Sequence, residues 1–101
     1  MPKGKTIHKK EYPVFLQLLL EARQAAGFTQ IQLGAKAGLS QAYISAVERG
    51  VLRLDTLQLH TWLHACGTDL AVFGAELEKR LLAFEAGKSG AVRKASRRSE
   101  G

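Results

Sequence analysis

The sequence predicts an all-α domain of five helices. Two observations predict it. Apolar residues recur at intervals of three and four, which gathers them on one side of a helix, and no stretch alternates apolar with polar as a half-buried strand does. Helix punctuation brackets most of these runs: Thr29, Ser40 and Asp55 stand where N-caps belong, and Gly27, Gly38, Gly50 and Gly67 stand where helices end. A chain of 101 residues, 46% of them hydrophobic, is one domain with a modest core.

Taken in order, residues 1–10 show no periodicity and are expected to form a flexible basic arm. Pro13 suits a first helical turn, and apolar spacing from Val14 to Ala26 predicts the first helix, stopped by Gly27. Thr29 with Gln32 three residues on is a capping box for a second helix over 30–37, and Gly38 follows as its left-handed terminus. Ser40 caps a third helix over 41–49, ended by Gly50. Asp55 with Gln58 is another capping box, and the fourth helix reaches about Cys66 with Leu59, Trp62, Leu63 and Cys66 on one stripe. A fifth helix runs from near Asp69 to about Phe84, with Leu70, Phe73, Leu77, Leu81 and Phe84 in line. Residues 11–85 thus form the domain, and residues 86–101, rich in Gly, Ser, Ala and basic side chains, are expected to be a disordered basic tail.

Charge placement narrows the function. The chain is +6 overall, yet residues 11–85 hold six basic against eight acidic side chains. The excess lies in Lys3, Lys5, Lys9 and Lys10 at one end and in Lys88, Arg93, Lys94, Arg97 and Arg98 at the other. Basic tails beside a near-neutral domain suit nucleic acid, because they neutralise phosphates and release counterions; solubilising ends have the same composition. No apolar run approaches the ~18 residues of a membrane span, and the N-terminus lacks the apolar core of a signal peptide. Cys66 stands alone, which fits a reducing cytoplasm. His60 and His64 have chelating spacing, but two ligands do not make a metal site. Nothing resembles a nucleophile–base set, a paired-carboxylate cleft or a phosphate-binding glycine loop, so no enzyme activity, cofactor or metal is expected.

The stretch from Gln30 to Arg49 carries the functional signal. Two short helices keep a defined angle only if something holds them. Leu33 and Ala37 face the core from the second helix, Gly34 permits close approach, Leu39 plugs the turn, and Ile44 and Val47 anchor the third helix from beneath. The opposite face carries Gln41, Ala42, Ser45 and Ala46, with Tyr43 and Arg49 at its margins. Small and polar side chains without charge suit a helix that presses into a groove.

The segment FTQIQLGAKAGLSQAYISAVERG, residues 28–50, closely resembles the helix-turn-helix of Cro/CI-type phage repressors and the xenobiotic-response-element-like family. Thr29, Gln30, Leu33, Gly34, Gly38, Leu39, Ser40, Ile44, Glu48 and Gly50 fit its pattern, and the likeness extends over roughly residues 14–75. Gly34 departs from the usual alanine, which should cost the second helix up to about 1 kcal/mol.

The resemblance implies a five-helix lambda-repressor-like fold and a sequence-specific DNA-binding regulator, a repressor or autoregulator acting on double-stranded DNA. It implies base contacts from Gln41, Ala42, Ser45 and Ala46 on the third helix, with Gln41 suited to adenine. It implies DNA-backbone contacts from Gln30, Ser40, Tyr43, Arg49 and Arg53, although Tyr43 is equally suited to packing on a neighbouring helix. Arg23 and Glu48 occupy positions where the family often has a structural ion pair. A homodimer on an inverted repeat is expected, with Phe73, Leu77, Leu81 and Phe84 as the interface. Short members also act as antitoxins that bind a toxin partner, which is the alternative reading.

Overall fold

The structure, a computed structural model, describes the backbone of residues 3–89 and the side chains of residues 10–87. Five helices appear in the expected order: α1 Lys3–Ala25, α2 Gln30–Ala37, α3 Gln41–Glu48, α4 Thr56–Ala65 and α5 Leu70–Ser89. The described residues contain no strand.

Local chemistry sets the middle boundaries. The Thr29 hydroxyl accepts from the Gln32 N–H at 3.1 Å, and the Gln32 side chain accepts from the Thr29 N–H at 2.9 Å. Asp55 and Gln58 repeat this reciprocal cap at 2.8 and 3.2 Å. Ser40 accepts from Tyr43 N–H at 3.0 Å, and Asp69 accepts from Val72 N–H at 2.8 Å. Each cap satisfies donors that the first helical turn leaves unpaired.

Both long helices exceed their expected ranges. The helix α1 takes in residues 3–10, read from sequence as part of a flexible arm, and passes through Pro13. A proline there removes one ladder hydrogen bond. Beside it the Tyr12 ring lies 5.4 Å from that of Phe15 in the same helix, and the Arg53 guanidinium, from outside α1, sits 4.3 Å above the Tyr12 ring. Helix α5 continues past Phe84 through Ala86, so residues 86–89 are helical, with alanine and lysine sustaining the helix. The remainder of the expected basic tail, 90–101, lies outside the described residues.

The core draws on every helix: Leu18 and Leu19 from α1, Leu33 from α2, Ile44 and Val47 from α3, Trp62 and Leu63 from α4, and Phe73 from α5. Each large apolar side chain buried this way stabilises the fold by roughly 1.5–3 kcal/mol. The burial of Phe73 corrects its expected place in a subunit interface. Its ring meets Phe15 edge-on at 5.7 Å, so it serves the contact between α1 and α5 within one chain. Leu77 also packs partly against this core, whereas Val72 and Leu82 are exposed.

Candidate nucleic-acid interface

The pair α2 and α3 is joined by a turn of three residues. Gly38 adopts φ 73° and ψ 31°, a left-handed conformation that is unstrained in glycine. The next N–H, that of Leu39, returns to the Gly34 carbonyl at 2.9 Å. Gly34 is itself buried against the turn, where an added Cβ would run into the Leu39 carbonyl oxygen and lie 3.5 Å from the Ser40 carbonyl carbon. The glycine therefore lets the turn fold back onto α2 and direct α3 away from it.

Helix α3 has two unlike sides. Ile44 and Val47 are fully buried and seat the helix on the core. Gln41 and Ala42 are exposed at its N-terminal end, Ser45 and Ala46 are half-buried beside them, and Arg49 is exposed at the C-cap. These residues form one uncharged shelf with a cationic edge. Arg49 folds back along it, its Nε donating to the Ser45 hydroxyl at 3.3 Å.

A polar chain runs beneath this shelf. The Arg23 Nε donates to Glu48 Oε2 at 2.7 Å and its Nη2 donates to Glu48 Oε1 at 3.0 Å. Its Nη1 donates to the Phe28 carbonyl at 2.9 Å, so one guanidinium joins the end of α1, the connection to α2, and α3. Glu48 sits at the C-terminus of α3, where the helix dipole disfavours an anion, and Arg23 offsets that. Only 13% of the Arg23 side chain and 9% of the Glu48 side chain remain exposed, which makes this a pair largely withdrawn from water. Glu48 Oε1 also accepts from Gln30 Nε2 at 2.9 Å, and Gln30 Oε1 accepts from Gln41 Nε2 at 2.7 Å.

The other implied backbone-contact residues divide into two sets. Ser40 and Arg53 are exposed, Ser40 at the α3 cap and Arg53 over the Tyr12 ring. Tyr43 faces inward: its hydroxyl donates to Gln58 Oε1 at 2.8 Å and ties α3 to the capping box of α4. Here the single phenolic proton goes to Gln58, which is the inward of the two roles open to Tyr43 from the sequence. Nothing in the local sequence signals this contact, since Gln58 is already explained by its cap.

Candidate sites elsewhere are sparse. The His60 and His64 rings stack at 4.1 Å, and the described residues contain no cluster of three or more side chains suited to a metal. Burial pushes the Cys66 thiol above its ordinary value. No helix among the described residues is long and apolar enough to cross a membrane.

Comparison with known proteins places this geometry. The family model described as helix-turn-helix matches residues 19–73. Among solved structures, an XRE-family like protein from Pseudomonas syringae pv. tomato str. DC3000 is similar at 39% identity and a TM-score of 0.69, over 79% of this chain and 98% of that one. No curated protein matches the chain. The family model spans more than half of the sequence and takes in α2, its turn and α3 whole, so the chain belongs to the Cro/CI-type, XRE-like helix-turn-helix family of DNA-binding transcription regulators.

Proposed function

We propose that the protein is a repressor or autoregulator that binds an inverted repeat in double-stranded DNA as a homodimer. Helix α3 lies in the major groove; Gln41 and Ala42 meet base edges, with Ser45 and Ala46 close against them. Gln30, Ser40, Arg49 and Arg53 flank the groove and hold phosphates, with the N-terminus of α2 adding its dipole. The observation that carries this reading is the exposure of Gln41 and Ala42 on a helix whose other side is fully buried. A side chain on so firm a base keeps its geometry when a base pair arrives.

The second half of α5 supports a dimer contact. Leu77 and Leu81 are half-buried in the single chain and Leu82 is 60% exposed. Leu77, Leu81 and Phe84 share one face of α5 and Leu82 lies on the adjoining one; a second copy seated across both would set two α3 helices about one DNA turn, ~34 Å, apart. Acting on DNA places the protein at the nucleoid in the cytoplasm.

The test is selection of bound DNA from a random pool, followed by titration of Gln41→Ala at several salt concentrations. The variant should lose preference at one base pair per half-site and keep most of its non-specific affinity. An equal loss on all sequences would remove Gln41 from base recognition. Sedimentation of Leu82→Glu should show a monomer if α5 forms the interface.

A further inference from the structure

We infer that Glu48, two helical turns from the exposed end of α3, selects the base that Gln41 accepts by fixing which way the Gln41 amide points. The inference rests on the proposed reading of DNA by α3 and deepens it.

A glutamine amide has two ends of nearly equal shape, one a donor and the other an acceptor. Left free, it presents either end to a base. Here the direction is set from inside the protein. Arg23 only donates, and the Glu48 carboxylate, held by two of its N–H groups, only accepts. Gln30 therefore turns its NH2 toward Glu48 Oε1, at 2.9 Å. Its oxygen is left on the far side, where it accepts from Gln41 Nε2 at 2.7 Å.

The polarity imposed by Arg23 thus passes through Glu48 and Gln30 to the exposed Gln41. Gln41 retains one N–H on the Gln30 side and both lone pairs of its outer oxygen. That order complements an adenine edge, whose N7 accepts and whose N6 amino group donates. It opposes guanine, whose N7 and O6 both accept, so the outer oxygen would face O6 without a proton between them. Glu48 is a positioning residue for this discrimination and touches no base.

Two variants test the relay in the full-length protein. Glu48→Gln keeps the shape and an acceptor for Arg23, but an amide at this point lets the chain of hydrogen bonds run either way. Gln30→Met cuts the relay downstream and leaves the Arg23–Glu48 pair whole, so it serves even where Glu48→Gln folds poorly. Fluorescence titrations at fixed salt would use the DNA site selected by the wild type. They would be repeated with each of the other three base pairs at the position where Gln41→Ala loses its preference.

The readout is the ratio of affinities among the four base pairs, from which any uniform loss cancels. The expected wild-type ratio is about tenfold or more, as for one bidentate contact, falling below about threefold in both variants. Weakening on all four sites with the ratio preserved would overturn the inference and leave Glu48 as a tie between helices alone. A wild type with no base preference that depends on Gln41 would overturn it together with the reading of α3, a result distinct from the first.

Discussion

Gly34 and Leu39 are in backbone contact: the face of Gly34 where a side chain would begin is occupied by the carbonyl oxygen of Leu39. The same two residues are hydrogen-bonded, Leu39 N–H to Gly34 carbonyl at 2.9 Å. The turn between α2 and α3 is thus closed onto the helix it leaves, and the direction of α3 depends on the absence of one methyl group.

Gly34→Ala should therefore destabilise the protein. Helix propensity alone favours alanine by about 1 kcal/mol. Here the new methyl meets backbone, which has no rotamer to move aside, and overpacking of this kind costs roughly 1–3 kcal/mol. A lower urea midpoint is the expected result, and a raised one would show that the turn yields. Gly38→Ala separates conformation from sterics, since its Cβ would meet nothing within 4 Å while its φ is 73°. It should cost about 1 kcal/mol through backbone conformation alone.

Removing one partner of the Arg23–Glu48 pair strands the other in a nearly dry site. Arg23→Met or Glu48→Leu should each cost roughly 3 kcal/mol, lowering Tm by on the order of 10 °C. The double variant Arg23→Met/Glu48→Leu, with no charge left to strand, should recover part of that loss. Calorimetry of the wild type and the three variants gives the coupling; additive losses would show that the two side chains do not act as a pair.

Tyr43→Phe tests the inward role of that hydroxyl. Loss of the hydrogen bond to Gln58 should lower stability by about 0.5–1.5 kcal/mol. The salt dependence of DNA binding should be unaltered. A fall of about one in the salt slope, which is the signature of a lost phosphate contact, would reassign Tyr43 to the DNA backbone.

Acid should loosen the contact between α1 and α5. Arg80 donates to Glu21 at 2.7 and 3.2 Å and to Glu76 at 2.8 Å, and these bonds hold both carboxyls below their ordinary value of 4.5. A folded-state value that is depressed contributes stability above the unfolded value and loses it as pH falls through the folded one. The wild type should therefore lose its advantage over Arg80→Met as pH drops from 5 toward 3, with the two Tm curves converging. The side chains are about a third exposed, so added salt should narrow the same gap at pH 7. Parallel curves across this range would show that the bonds contribute nothing.

The number, order and caps of the helices were determined by the sequence alone. Capping is a bargain between residues three apart, and an apolar stripe repeats within two turns, so both are complete within a window of local sequence. Family membership was legible for a related reason: the spacing around Gly34, Gly38 and Ser40 is dictated by a turn that tolerates few alternatives. Tertiary structure decided what the local window does not contain. It joined Gln30 to Gln41 and to Glu48, eleven and eighteen positions apart, and turned Tyr43 toward Gln58. It drew Phe73 into the core against Phe15, and carried α1 back through Pro13 to Lys3. Those outcomes depend on the angles between helices, which arise from many small packing contacts summed over the whole core, and no short stretch of sequence encodes that sum.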